Sequence, residues 1–379
     1  MEYDSKPIPK SKDKKDSMKK ILVFSTDWEH LSIAKAVKEA IEKNHKVSLH
    51  SIPAARLSKD VNDFMYKFIP RLFKFFLWTS NISFMRLLFD LYAQRNYGDR
   101  LNSVIIKSSP NIVINTYFAF NSPLEKLRAK YKFRLINVFA NPWTFGNLLI
   151  SPDAENLVFD EYSWRRLQNY MPKITGSPIG WFTENKFYEA QKTRRDQIRK
   201  SLNLNPDKFT LCITSGSEGT FNIFKIISTF LNPRYDMQVL MMCGNNKNML
   251  SIAKTLKKLS QKIRGPEIIG ISYTSDIHGY LRASDLVVGK AGPNTLFESV
   301  ATLTPFFAIS HLSGLEDGSL DIIKRYKIGY IEENPRLATQ KLKEIIENPT
   351  VLGKFTKNLK SLSKFCQGSG ERLLALLKP

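Results

Sequence analysis

The chain has 379 residues, with 57 Lys and Arg against 35 Asp and Glu and a formal net charge of +22. That length suggests two domains of ordinary size. The basic excess points to an anionic partner: nucleic acid, an anionic membrane surface or a phosphorylated substrate. Three cysteines without a CxxC pair, and five histidines without ligand-like spacing, argue against a disulfide framework and a structural metal.

In chain order, residues 1–18 are rich in Lys, Asp, Ser and Pro and read as a disordered basic tail. Lys20 to Ser25 reads as a buried strand. A helix is expected from Leu31 to Asn44, with Ile33, Ala36, Val37 and Ala40 at helical spacing. Val47 to Ile52, Ile112 to Asn115 and Leu135 to Val138 read as strands, and Asn156 to Phe159 as a short strand closing this half. Gly176 to Gly180 reads as a boundary, followed by a basic helix from Thr193 to Leu202. A second series then gives strands at Phe209–Thr214, Gln238–Cys243, Glu267–Ile271, Leu286–Gly289 and Phe306–Ile309.

Alternating strands and helices predict α/β architecture with parallel, doubly wound sheets. The expected units are an N-terminal domain over 19–178, a C-terminal domain over 179–360 and a terminal helix over 361–379 packing back toward the N-terminal domain. Two such domains enclose a cleft, and ligands bind at the carboxyl ends of parallel strands. No apolar run approaches the roughly 18 residues of a membrane span. The first one, Ile21 to Phe24, is too short for a signal peptide. The expectation is therefore a cytoplasmic protein.

Four stretches carry candidate chemistry. In the first, an apolar strand, Asp285 to Gly289, runs through Lys290-Ala291-Gly292-Pro293 into a helix that Thr295 can cap. A helix start attracts phosphate through its N–H groups and dipole, and Glu298, about one turn on, can hold ribose hydroxyls. An ordinary βα turn uses the same residues. In the second, Thr214-Ser215-Gly216-Ser217-Glu218-Gly219-Thr220 follows a strand and offers glycines for close approach; Met242 to Asn246, with Gly244, is a weaker version. The third places His30 at a helix start after Asp27 and ahead of most of the helix. Taken by itself, a histidine at a helix start more often has a structural role. In the fourth, residues 61–100 hold eleven aromatics and six basic against three acidic residues. Arg71, Phe73, Lys74, Phe76 and Trp78 mix cations with large apolar groups, as an interfacial segment does; a buried helical hairpin is the alternative.

In sequence, SGSEGT (215–220), CGNN (243–246) and the run from Tyr280 through Lys290-Ala291-Gly292-Pro293 to Glu298 resemble one group of GT-B glycosyltransferases. It includes monogalactosyldiacylglycerol synthase, the processive diacylglycerol glucosyltransferases and the lipid-linked N-acetylglucosaminyltransferase of peptidoglycan synthesis. The likeness covers roughly residues 19–379. It implies a GT-B-like fold of two Rossmann-like domains and a UDP-sugar held mostly by the C-terminal one. Gly216, Ser217, Glu218 and Gly244 would line the phosphate and sugar pocket, and Ile271 to Thr274, including Tyr273, the uracil. Ala291, Gly292, Pro293, Asn294 and Thr295 would carry the diphosphate with Lys290 nearby, and Glu298 the ribose. His30, matching the His that ends the family's first loop, would deprotonate the acceptor, a task its ordinary pKa suits at neutral pH, with Asp27 and Glu29 as alternative bases or as partners that orient it; transfer would invert the anomeric carbon, with no cofactor or metal beyond the UDP-sugar itself. The acceptor would be a lipid reached from an anionic membrane surface, with the protein peripherally associated and no nucleic acid involved.

Three departures from the family pattern stand out. Asn294 replaces a usual Gly. The loop from Ser25 to His30 lacks the family's glycines, and its two carboxylates favour a neutral acceptor such as diacylglycerol. Ser313 to Ser319 resembles PGQEEGN, with Leu315 in place of a Gln that touches sugar; Glu316 and Asp317 remain candidates for sugar hydroxyls. The lost glycines and Leu315 also suit a non-catalytic relative, and a nucleotide-sugar epimerase has a similar double-domain fold.

Overall fold

A computed structural model describes residues 18–27, 29–55, 75, 78–79, 82–143, 149–214 and 226–378. The N-terminal half begins with β1 (Lys20–Ser25), α1 (Glu29–Ile41), β2 (Lys46–Ser51), α2 (Ser83–Ser108) and β3 (Ile112–Asn115). It continues through α3 (Asn121–Tyr131), β4 (Arg134–Val138), β5 (Glu155–Val158), α4 (Glu161–Tyr170) and β6 (Thr175–Pro178). The second half opens with α5 (Asn185–Glu189), α6 (Arg195–Ser201), β7 (Phe209–Thr214), α7 (Ile227–Phe230), β8 (Met237–Gly244) and α8 (Lys247–Lys262). Then come β9 (Glu267–Ser272), α9 (Ile277–Ala283), β10 (Leu286–Lys290), α10 (Pro293–Ala301), β11 (Phe306–Ser310) and α11 (Asp317–Tyr326). The chain ends with β12 (Gly329–Ile331), α12 (Pro335–Glu347), α13 (Thr356–Gln367) and α14 (Ser369–Leu376).

The strands form two parallel six-stranded sheets, ordered β2-β1-β3-β4-β5-β6 and β12-β11-β10-β7-β8-β9. Helices cover both faces, so the central strands are continuous apolar runs; β3 is buried throughout. In each sheet the winding reverses once, between β1 and β3 in the first and between β7 and β10 in the second. The carboxyl ends at such switch points open a crevice for ligands. Close strand approach at the second one demands Gly289, because a Cβ there would stand 2.6 Å from the Thr214 carbonyl oxygen.

Three expectations are corrected here. The first sheet is closed by β6, not by the strand at 155–158; Thr175-Gly176-Ser177-Pro178 pairs with β5 (Val158 opposite Pro178) and occupies the expected boundary. A strand that carries Pro belongs at a sheet edge, where its missing N–H costs no ladder bond. The helix carrying His30 starts at Glu29 and ends at Ile41. The basic helix expected from Thr193 to Leu202 spans only Arg195–Ser201, as α6; its Arg195 Nη1 and Arg199 Nη2 stand 3.0 and 2.6 Å from Asp285, which is half-buried just ahead of β10.

One apolar cluster runs from Ile21, Ile114 and Leu157 of the first sheet to Leu211, Val288 and Phe307 of the second. Phe297 of α10 stacks on Trp181 at 4.4 Å and packs on Phe159 at 4.9 Å. The chain crosses between halves at Gly180, whose φ is +93°. There Ser369 Oγ donates to Trp181 O (3.1 Å) and Arg372 Nε to Ile179 O (2.9 Å). Helix α14 packs on α1. Its last turn is tied down by Lys19 Nζ donating to Leu377 O (2.6 Å) and Arg134 Nη1 to Leu376 O (3.0 Å).

Candidate active site

At the first switch point His30, on the first turn of α1, lines a small open pocket with Thr116, Phe118, Asn137, Asn141 and Leu149. His30 Nδ1 lies 2.7 Å from Thr116 O, just past β3. A carbonyl oxygen only accepts, so Nδ1 carries the proton and Nε2 is the basic nitrogen of the neutral ring. The ring also packs edge-on to Tyr117 at 4.9 Å. Thr116 O is thus a carbonyl 86 residues away in sequence, whereas Asp27 and Glu29 are chain neighbours of His30. Asp27 Oδ1 accepts from Ser51 Oγ at 3.4 Å, toward the end of β2; Glu29 contributes its backbone to α1.

The far wall of this pocket is held by an asparagine ladder that the sequence reading did not single out. Asn115, Asn137 and Asn156 are in register across β3, β4 and β5, and all three are buried. Asn137 Nδ2 donates to Leu149 O and to Asn156 Oδ1, both at 3.0 Å. Asn156 also accepts from Ser151 N (3.1 Å) and donates to Ser151 O (2.8 Å). Asn115 Nδ2 donates to Asn121 Oδ1 (2.7 Å), and Asn121 Nδ2 to Leu149 O (3.2 Å). Buried amides satisfied this fully fix the chain they bind, here residues 149–151 beside His30.

At the second switch point, Gly292 is the N-cap of α10 and Pro293 its first residue, with no side-chain cap. Thr295 is therefore inside the first turn and does not cap, because proline's fixed φ already starts the helix one step earlier. The amides divide accordingly. Ala291 N donates to Ser310 O (2.8 Å), Gly292 N to Lys290 O (2.7 Å) and Leu296 N to Gly292 O (3.0 Å). Pro293 has none. The amides of Asn294 and Thr295 occupy first-turn positions, which an α-helix's own ladder does not use. Both residues, and Glu298 one turn on, are half-buried.

Lys290 and Glu316 meet beside this helix start. Lys290 Nζ is 2.5 Å from Glu316 Oε1, with side chains 12% and 4% exposed. Glu316 Oε2 accepts from Leu312 N at 2.6 Å. Glu316 is thus Lys290's counter-ion. The following turn needs Gly314, whose φ is +93°, and Asp317 Oδ1 accepts from its amide at 2.7 Å. His311, absent from the sequence candidates, is clamped between Asp317 (3.2 Å from Nε2) and Glu333 (2.8 Å from Nδ1). Those bonds, Asp317's first, raise its pKa to about 9 against a smaller burial effect. Gly244 has φ +53° and open space around it, and Ile271 is half-buried while Tyr273 is exposed. Gly216, Ser217 and Glu218 lie outside the described residues.

The aromatic region is only partly described: Arg71, Phe73, Lys74 and Phe76 lie outside it. Trp78 and Phe75 are both exposed and stack on one another at 5.8 Å. Next to them α2 presents Phe84, Leu87, Leu88 and Leu91 to solvent, each at least 45% exposed. That spacing is one helix face. Phe89, on the other side, stacks on Phe118 of the His30 pocket at 5.9 Å. Among the described residues no helix is long and apolar enough to cross a membrane.

Comparison with known proteins agrees with this fold. Residues 210–316 match the glycosyltransferase family 28 C-terminal domain. Over 360 residues the chain is 22% identical to a processive diacylglycerol beta-glucosyltransferase of Bacillus licheniformis, covering 91% of each protein. The crystal structure of MurG from Acinetobacter baumannii superposes with a TM-score of 0.59 at 12% identity, over 95% of this chain and 99% of that one. A UDP-GlcNAc 2-epimerase from Neisseria meningitidis bound to UDP-GlcNAc gives 0.59 at 13% identity, over 95% and 99%. The fold is GT-B, and the resemblance read from residues 215–298 holds.

Proposed function

We propose that this glycosyltransferase of the family 28 type moves a hexosyl group from a UDP-sugar to the hydroxyl of a lipid such as diacylglycerol, at an anionic membrane surface, with inversion. The observation that carries the reading is the pair of switch points. One holds a histidine whose Nδ1 proton is committed to Thr116 O, and the other a helix start with Lys290 beside it; α1 and α10, which bear them, are in contact.

His30 Nε2 takes the proton of the acceptor hydroxyl as its oxygen attacks the anomeric carbon. The bond from that carbon to the diphosphate oxygen breaks, and UDP leaves with the electron pair. The first turn of α10 and Lys290 stabilise the charge that builds on the diphosphate, with donors fixed before the reaction starts. Glu298 takes the ribose, and the uracil lies along Ile271 to Tyr273. The reading assigns no cofactor beyond the donor sugar nucleotide. Its apolar face on α2, next to the His30 pocket through Phe89 and Phe118, suits an acceptor whose chains stay in a bilayer. A nucleotide-sugar epimerase has no use for such a face.

The test is transfer of label from UDP-glucose, UDP-galactose and UDP-N-acetylglucosamine to vesicles of diacylglycerol in anionic phospholipid. Label should enter the lipid with one donor and be lost in His30→Ala and Glu298→Ala. UDP binding with no transfer points to a non-catalytic relative, and absence of UDP binding removes the donor site.

A further inference from the structure

Between the two switch points, six side chains from the two halves form one connected group. Trp143 lies on the loop after β4, two residues beyond Asn141 of the His30 pocket. It is only 8% exposed, and its Nε1 donates to Asp321 Oδ2 of α11 at 3.2 Å. The guanidinium of Arg166 covers its ring at 4.1 Å. Asp321 Oδ2 also accepts from Arg325 Nε (2.7 Å), and Arg325 Nη1 donates to Asp160 Oδ2 at 2.9 Å. Tyr326 OH donates to the same oxygen at 2.8 Å. Asp160 is buried in the N-terminal half, where its other oxygen caps α4 through Ser163 N (2.8 Å). Backbone packs equally closely: a Cβ on Gly318 would stand 3.2 Å from Trp143 N and 3.3 Å from Pro142 Cβ.

The donor end of this group is α11 itself. Its first residue, Asp317, holds Gly314 and His311, and the residue before it, Glu316, holds Lys290 at the start of α10. Neither Trp143 nor Asp321 lines the pocket or the helix start. An apolar contact would suffice for simple burial. A tryptophan N–H, one arginine and a tyrosine hydroxyl, converging on two carboxylates across the junction, instead fix orientation as well as distance, since charge-assisted bonds are directional.

We infer that Trp143 and Asp321, with Arg325 and Asp160, are positioning residues: they fasten the acceptor-side loop to α11 and so set the separation between His30 and the start of α10 at which transfer occurs. The inference rests on the proposed glycosyl transfer for its kinetic consequence, not for its geometric one.

The variants are Trp143→Phe, Asp321→Ala and Asp321→Asn in the full chain, assayed as above, with UDP affinity by calorimetry and melting temperature. Trp143→Phe and Asp321→Ala should each lower kcat about tenfold, the size of one hydrogen bond to a charged group, with UDP Kd within about twofold of wild type. Asp321→Asn, which keeps an oxygen for the indole, should retain more of kcat than Asp321→Ala. Independently of turnover, spin labels at Lys130→Cys on α3 and Lys257→Cys on α8, both exposed, should give one narrow distance distribution that broadens in the Trp143→Phe and Asp321→Ala backgrounds. An unchanged distribution overturns the inference, whatever kcat does. So does a parallel loss of UDP affinity and melting temperature, which marks a folding role. If wild type transfers no sugar, the proposed function fails while the distance measurement still decides this one.

Discussion

Replacing Glu316 with Gln tests the donor site most directly, because it separates a charge's structural role from its ligand role. The Lys290–Glu316 pair is nearly dry, at 2.5 Å with side chains 12% and 4% exposed. Removing one member of such a pair leaves a buried charge uncompensated, a loss of about 3 kcal/mol in the unliganded protein. For a cooperative unit of roughly 200 residues that lowers the melting temperature by about 6–12 °C. The amide oxygen of the substituted side chain can still accept from Leu312 N, so the backbone turn survives. UDP should then do more for the variant than for wild type, since the diphosphate supplies the counter-charge that Glu316 no longer does. A released Lys290 binding phosphate adds about 1.5 kcal/mol, or a little over tenfold in Kd. Thermal melts with and without saturating UDP, plus calorimetric Kd values, read both effects. Lys290→Met with Glu316→Gln should recover most of the stability without the gain in UDP affinity, because no buried charge is then left alone. If Glu316→Gln melts with wild type, or binds UDP more weakly, the pair does not stand at the diphosphate site and the reasoning fails.

Three further expectations follow from other parts of the structure. His311 has a folded pKa of about 9 against an ordinary 6.5, raised by Asp317 and Glu333. Its stabilisation is therefore fully present below about pH 6.5 and is lost as pH rises through about 9, at most about 3 kcal/mol. His311→Asn should flatten the melting-temperature profile across that window, and an unchanged profile refutes the clamp. Phe84→Ser with Leu88→Ser on the exposed face of α2 should weaken sedimentation with anionic vesicles by about 2 kcal/mol or more, leaving UDP affinity and melting temperature as they were; equal sedimentation assigns the face another partner. Asn156→Ala strands Ser151 and Asn137 groups in the core and should cost about 2–4 kcal/mol in denaturant unfolding, with Asn156→Asp no better; a loss under about 1 kcal/mol would show the ladder is incidental.

Much of the fold was legible because buried parallel strands write themselves as apolar runs. β1, β3, β7 and β10 differ from expectation by at most a residue at an end. Edge strands lack that signature. β6 is Thr-Gly-Ser-Pro, paired on one side only, and its turn-like residues read as a linker. β12 is three residues long and half-buried at best, so it left no pattern. On α2 the difficulty is different: Phe84, Leu87, Leu88 and Leu91 have the spacing of a core-facing stripe, and periodicity alone does not say whether anything covers it.

Within the candidate site, local chemistry was legible and long-range pairing was not. Gly292-Pro293 announces a helix start because glycine and proline act through their own backbone. The partners of charged and titratable groups are set by topology instead. His30 has acidic residues beside it in sequence, yet Nδ1 is held by Thr116, which β3 delivers from 86 residues away. Glu316, read beside Asp317 as a group for sugar hydroxyls, has Lys290 brought to it by β10 and β11, a pairing its sequence neighbours do not announce. The net charge of +22 is subject to the same limit. The most buried of its ion-paired members, Arg199, Lys290 and Arg86, are each matched by a carboxylate, as the cost of an unpaired buried ion requires. The excess that attracts an anionic surface must therefore be carried by other, more exposed side chains, where salt screens it within about 10 Å. Vesicle binding should accordingly fall between about 0.05 and 0.5 M salt, roughly tenfold for each 1.4 kcal/mol of screened attraction, while Lys290 stays paired with Glu316.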